Sequence, residues 1–130
     1  MPSTYQEIAM TRVRVLKVVL VVVGLIFAAL AYPMVMFVRQ EPALAMMLSV
    51  YVTLGIFLLR AARNPSANRS LIAFTAWSSF AHGAIMGTQA YRHMIAHGEF
   101  VGVAVLIVIG AILIILAPAK YSTERPPAGT

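Results

Sequence analysis

Four apolar runs, each close to the length that a helix needs to cross a bilayer, dominate this chain. About 20 apolar residues span the ~30 Å of hydrocarbon in a membrane. Only 11% of the residues are charged, against about 25% in soluble domains. We therefore predict an all-α integral membrane four-helix bundle made of two antiparallel hairpins in a single domain. The predicted spans are residues 14–38, 43–60, 69–95 and 100–117, followed by a flexible tail, 119–130.

Basic residues are distributed unevenly between the two sides of the predicted spans. Only Arg39 and Arg92 lie on one side. The eight on the other side are Arg12, Arg14, Lys17, Arg60, Arg63, Arg69, Lys120 and Arg125. Because cytoplasmic loops are enriched in Lys and Arg, both termini are expected in the cytoplasm. The net charge of +6 then reflects orientation and contact with anionic lipid, so the lipid bilayer is the predicted partner and nucleic acid is not.

Short loops and missing motifs argue against an enzyme. The chain has no cysteine, which excludes disulfides, thiolate metal sites and cysteine nucleophiles. No nucleophile–base pair, phosphate-binding glycine loop or closed zinc site is recognisable. The sequence therefore predicts a non-enzymatic protein, and it requires no cofactor.

Polar side chains line one face of the third predicted span. At about 100° per residue of helix, these side chains fall within an arc of about 60°. They are Thr75, Ser78, His82, Gln89 and His93. Hydrocarbon offers them no hydrogen-bonding partner, so this polar stripe is expected to face protein, water or a ligand. Ser49 and Thr53 of the second span, with Tyr51 beside them, are candidates to meet it.

Three interpretations of the polar stripe remain open. The first is hydrogen bonding between helices, which fixes packing. The second is a ligand, proton or transport site at His82, although no carboxylate lies within a span. The third is metal or haem: His82 with Met86, or His93 with His97, has the i, i+4 spacing of chelating pairs, but bis-His haem would need a second copy of His82.

Small residues mark two candidate helix-packing faces. Gly24 and Ala28 have the small-xxx-small spacing in the first span, and Ser79, Gly83 and Gly87 lie beside the polar stripe in the third.

Two local signals add detail to the first span. A capping box, either Ser3 with Gln6 or Thr4 with Glu7, predicts a helix start near Thr4, and Tyr32-Pro33 predicts a kink.

The stretch from Glu41 to Tyr91 resembles an uncharacterised family of small bacterial four-span inner-membrane proteins. That resemblance implies four spans and a bacterial inner membrane, and it implies no activity. We expect a homo-oligomeric bundle or an accessory, structural subunit of a larger membrane complex. The alternatives are a small oligomeric transporter or channel lined by the polar stripe, and intramembrane metal or haem binding through His82.

Overall fold

The computed structural model describes residues 3–118, which form a bundle of four long helical segments. The first segment is broken into two helices. In chain order the elements are α1 (Thr4–Ala29), α2 (Ala31–Phe37), α3 (Pro42–Ala61), a 3-10 turn (Pro65–Asn68), α4 (Arg69–Tyr91), a second 3-10 turn (His97–Glu99) and α5 (Phe100–Leu116). The all-α prediction is confirmed for these residues, among which no strand occurs. The predicted tail, 119–130, lies outside them.

The start of α1 follows one of the two predicted capping boxes. The backbone N–H of Gln6 donates to Ser3 Oγ over 3.3 Å, and Gln6 Oε1 accepts from the Ser3 N–H over 3.2 Å. Two helix-end donors are thereby satisfied reciprocally. The predicted start at Thr4 is confirmed.

The break between α1 and α2 falls at Leu30, three residues before Pro33. Proline has no backbone N–H, so the carbonyl of Ala29 loses the donor that an unbroken helix would give it. At the break itself, the N–H of Leu30 bonds the Phe27 carbonyl, three residues back, over 3.1 Å. The helix is therefore interrupted one turn before the proline, in the region where Tyr32-Pro33 predicts a kink.

Helices α1 and α3 form the first hairpin, and glycine allows their close approach. A Cβ added at Gly55 would lie 2.6 Å from the backbone nitrogen of Ala28 and 2.8 Å from the carbonyl oxygen of Gly24. Neither distance is possible for a real side chain, so α3 must present glycine here. The predicted Gly24–Ala28 face does pack, and its partner is a residue that the sequence pattern does not single out.

Helices α4 and α5 form the second hairpin. A Cβ at Gly83 would lie 3.2 Å from Ile107 Cδ1, and one at Gly110 would lie 3.0 Å from the carbonyl oxygen of Ala76. Small residues on both helices bring the two backbones together. The apolar core joins the two hairpins and includes Leu16, Leu20, Leu58, Ile72 and Leu113, each no more than 1% exposed.

The two seams between the hairpins are looser than the hairpins themselves. A groove of about 440 Å³ runs between α1 and α5 and is walled by valine and isoleucine, among them Val22, Val105 and Ile112. Cavities also lie between α3 and α4. The bundle is thus two tight hairpins that touch along two incompletely filled seams.

Three helical stretches of the described residues are long and apolar enough to cross a membrane: Thr4–Phe37, Pro42–Ala61 and His97–Leu116. Helix α4 has 23 residues, which is long enough, but it does not meet the same criterion of composition. Its histidine, glutamine and hydroxyl side chains lower its hydropathy. Three of the four predicted spans therefore correspond to helices that are long and apolar enough to cross a membrane.

Candidate functional site

A polar contact between side chains of the two hairpins joins Tyr51 on α3 to His82 on α4. The Tyr51 hydroxyl is hydrogen-bonded to His82 Nδ1. The two rings meet edge-on with centroids 5.2 Å apart, and Phe27 of α1 packs edge-on against Tyr51, also at 5.2 Å. Because Tyr51 holds Nδ1 of His82, the orientation of the imidazole ring is fixed. The remaining polar atom of that ring is Nε2.

Two cavities lie in the α3–α4 seam, on opposite sides of the Tyr51–His82 contact. The smaller cavity, about 310 Å³, extends toward the 3-10 turn at Pro65–Asn68 and is lined by Ser49, Val50, Thr53, Leu54, Phe57, Leu71 and Phe74. The larger cavity, about 760 Å³, extends toward the other end of the bundle. Its walls comprise Glu41, Leu44, Met47, Ala81, His82, Ile85, Met86, Gln89, Ile95, Ala96 and Glu99. A volume of this order is typical of small-molecule sites.

Two glutamates, which the sequence places at separate turns, line the larger cavity together. Glu41 precedes α3 and Glu99 precedes α5, and both side chains are exposed. Sequence reasoning missed this pair, because neither carboxylate lies within a predicted span. The signal available in the sequence was that both glutamates follow short turns on the same side of the predicted bundle.

The hydroxyl groups of the predicted seam do not bond across it. Thr75 Oγ1 donates to the carbonyl of Leu71 over 2.8 Å, and Ser78 Oγ donates to the carbonyl of Thr75 over 3.2 Å. On α3, Ser49 and Thr53 likewise donate to carbonyls of their own helix, over 2.6 and 2.9 Å. Such bonds satisfy a hydroxyl group without any partner helix. Of the predicted polar stripe, His82 alone bonds α3.

The end of α4 separates His93 from the polar stripe. The predicted span runs to residue 95, but α4 ends at Tyr91 and His93 adopts a left-handed conformation with φ of 58°. The N–H of Met94 bonds the Gln89 carbonyl over 2.9 Å, and that of His93 bonds the Ala90 carbonyl over 3.2 Å. This pair of bonds is a Schellman motif, which terminates a helix. Gln89 remains on α4 and lines the larger cavity, whereas His93 does not.

The candidate metal ligands fall into two places. His82 and Met86 line the larger cavity together, with Met47 opposite on α3. His93 and His97 are exposed and their rings stack at 4.7 Å with an interplanar angle of 12°. Stacking turns the ring faces toward each other, whereas chelation needs nitrogens that converge on one point. Between residues 3 and 118, no three or more His, Asp or Glu side chains come together as a metal site would need.

The predicted packing face of α4 is covered by α5 of the same chain. Ser79 is fully buried, and Gly83 and Gly87 face Ile107 and Val103. The Ser79 hydroxyl has no hydrogen-bonding partner among the described residues. Helix α5 of the same chain therefore occupies the packing face that the small residues of α4 predict. The outer face of α4 remains open to other molecules.

Comparison with known proteins gives a single assignment. No curated protein and no solved structure matches the chain. One family model matches residues 10–129, which covers all five helices except the first two turns of α1. The chain therefore belongs to a family of unknown function (DUF6632).

Proposed function

We propose that this chain is a non-enzymatic integral membrane protein that crosses a bacterial inner membrane four times and acts as a subunit of a larger assembly. The assembly is either a homo-oligomer or a complex with other membrane proteins. The observation that carries the proposal is the composition of the outer face of α4, a helix that is too polar to face lipid on all sides.

The outer face of α4 is rich in small and hydroxyl-bearing residues. The exposed residues of this face are Ser70, Ala73, Phe74, Trp77, Ala81, Ala84, Ile85, Thr88 and Tyr91. Small residues let another helix approach closely, and helix association in membranes depends on such packing. Trp77 projects from the middle of this face with 65% of its surface exposed, and large exposed aromatic side chains are frequent anchors at protein interfaces.

The position of α4 supports a fourth crossing. It connects the end of α3 to the turn before α5, and its 23 residues extend about 34 Å at 1.5 Å per residue, which matches the thickness of the hydrocarbon. Packing against α5 and the contact with α3 shield two of its sides. A polar helix that could not insert alone is therefore accommodated as part of the bundle.

The topology is tested with single cysteines, because the chain has none of its own. If both termini are cytoplasmic, Gln40→Cys and Gly98→Cys will react with a membrane-impermeant maleimide in intact spheroplasts. Ser66→Cys, in the turn at the other end, will react only after permeabilisation. The cysteine-free parent controls for background labelling. Equal labelling at positions 66 and 98 in intact spheroplasts would contradict a crossing by α4.

The assembly is tested by cross-linking from the outer face of α4. Trp77→Cys, treated with a bifunctional maleimide in native membranes, should give a discrete larger species, whose mass distinguishes a second copy from another subunit. Val22→Cys is the matched control, because Val22 is 49% exposed but lies on α1. A Trp77→Cys protein that stays monomeric, or that cross-links no better than Val22→Cys, would contradict the proposal.

A second candidate function, transport of a small solute, is favoured by the two cavities on either side of the Tyr51–His82 contact. Because Thr75 of the polar stripe is buried within the bundle, the route proposed for such a solute runs within one chain. Flux of protons or small cations into proteoliposomes would be measured with a dye. Loss of flux in His82→Ala, with the bundle intact, would support transport, and absence of flux in the parent protein would contradict it.

A further inference from the structure

We propose that the larger α3–α4 cavity binds a lipid-soluble organic cation, that is, a quaternary or protonated onium group on an apolar body. The cavity shares Ala81 and Ile85 with the outer face of α4, so the tests below separate a bound cation from a partner helix at the same place.

The side chains that line the cavity carry negative charge, whereas the chain as a whole is positively charged. The protein has 10 basic and 4 acidic residues, with a net charge of +6. Two of the four acidic residues, Glu41 and Glu99, nevertheless line this one cavity, and no Lys or Arg is among its lining residues. A site with two carboxylates and no basic residue attracts cations and repels anions.

The polar side chains at the acidic end of the cavity are not engaged by other parts of the protein. No hydrogen bond between described residues uses the side chain of Glu41, Gln89 or Glu99. The carboxylates therefore remain available to a ligand. An ammonium or phosphonium group near two carboxylates at the surface of a bilayer gains more Coulomb energy than the same group near them in bulk water.

The body of the cavity is apolar and suits the rest of such a ligand. Leu44 and Met47 form the α3 wall, and Ile85 and Met86 form the α4 wall. Glu41 precedes Tyr51 by ten residues, so the cavity extends about 15 Å along α3 from its acidic end to the Tyr51–His82 contact. Methionine side chains adapt their shape to ligands of different outline. The ligand class is therefore an amphiphile with its cationic end at Glu41 and Glu99.

The binding test compares two ions of the same shape and opposite charge. Tetraphenylphosphonium and tetraphenylborate are applied to the protein in phosphatidylcholine nanodiscs, and binding in excess of empty nanodiscs is measured by equilibrium dialysis. We expect saturable excess binding of tetraphenylphosphonium and none of tetraphenylborate. Equal excess binding of both ions, or of neither, would overturn the proposal.

Variants locate the site. Glu41→Gln with Glu99→Gln should weaken tetraphenylphosphonium binding at least tenfold, whereas Glu7→Gln, an exposed glutamate at the start of α1, should leave it unchanged. Ile85→Trp keeps both carboxylates and fills the cavity, so it should also weaken binding at least tenfold. The variant should still fold, because Ile85 is 64% exposed and the bundle does not depend on its packing. Binding that survives both changes would overturn the proposal.

The location is confirmed by protection of a cysteine. Met47→Cys, in the α3 wall, should react with a small maleimide at least threefold more slowly when tetraphenylphosphonium is present, and Val22→Cys on α1 should react at an unchanged rate. If a partner helix occupies the cavity instead, Met47→Cys will be protected in native membranes without the cation and will be unaffected by its addition. That second result would also overturn the proposal.

Discussion

Tyr51 and His82 form the side chain–side chain hydrogen bond that links α3 to α4, and within residues 3–118 no other such bond joins two helices. The hydroxyl groups around it donate to carbonyls of their own helices. One pair of polar side chains, packed against the ring of Phe27, therefore fixes the contact between α3 and α4 at the point that divides their seam.

A double-mutant cycle will show coupling between Tyr51 and His82. Tyr51→Phe keeps the ring contact with Phe27 and removes the hydrogen bond, and His82→Leu removes the other partner. We expect a coupling energy of about 0.6–2 kcal/mol, the range found for hydrogen bonds between membrane helices. Unfolding in sodium dodecyl sulfate of the parent, both single variants and the double variant gives this value. The same cycle with Thr53→Val in place of Tyr51→Phe should give a coupling near zero, and equal coupling in the two cycles would contradict the assignment.

Alanine at position 55 will destabilise the first hairpin. The added Cβ would lie 2.6 Å from the Ala28 backbone nitrogen, and a backbone atom cannot move aside as the end of a flexible side chain can. We expect a loss of about 1–3 kcal/mol in the free energy of unfolding, the usual cost of overpacking. The control is Gly98→Ala, because a Cβ there meets nothing within 4 Å. Equal stability of the two variants would show that α1 and α3 do not approach at Gly55.

Glycine at position 93 will stabilise the end of α4. His93 has φ of 58°, and a left-handed conformation costs a residue with a Cβ roughly 1–2 kcal/mol, whereas glycine adopts it freely. His93→Gly should therefore raise the midpoint of thermal unfolding, with some of the gain offset by loss of the ring stacking on His97. His97→Ala removes the same stacking and keeps the left-handed conformation at His93, so it should not stabilise. A lower midpoint for His93→Gly than for His97→Ala would rule out relief of strain.

Removal of the Arg12 guanidinium will loosen the end of α5. Arg12 Nη2 donates to the carbonyls of Ile115 and Ala117 over 2.6 and 3.2 Å, and Arg69 Nε donates to the Pro118 carbonyl over 3.0 Å. These carbonyls are at the end of a helix and have no partner within it. Arg12→Gln should speed amide hydrogen exchange in the last turn of α5, with a local loss of about 1 kcal/mol.

The control for that measurement is Arg14→Gln. Arg14 is also exposed and basic, and no hydrogen bond between described residues uses its side chain. Exchange in the last turn of α5 should therefore match the parent protein. Faster exchange in both variants would point to a general effect of charge and not to the bonds that Arg12 makes.

Local features of the fold were predictable from the sequence because neighbouring residues decide them. The Ser3–Gln6 capping box, the break before Pro33 and the close-packing face at Gly24 and Ala28 each depend on residues within one or two turns. Contacts over long distances along the chain were less accessible. The role of Gly55 follows from where α3 crosses α1, and the polar stripe gave no indication that its hydroxyl groups bond within their own helices.

The sequence by itself determined an all-α chain of membrane-spanning length, because apolar runs of about 20 residues bounded by short turns leave few other ways to satisfy the backbone. It also identified His82 as the most distinctive polar residue of α4. Only the tertiary structure decided what surrounds His82. Tyr51 meets it, and Glu41 and Glu99 share its cavity, because the packing of one hairpin on the other brings together residues from three separate parts of the chain.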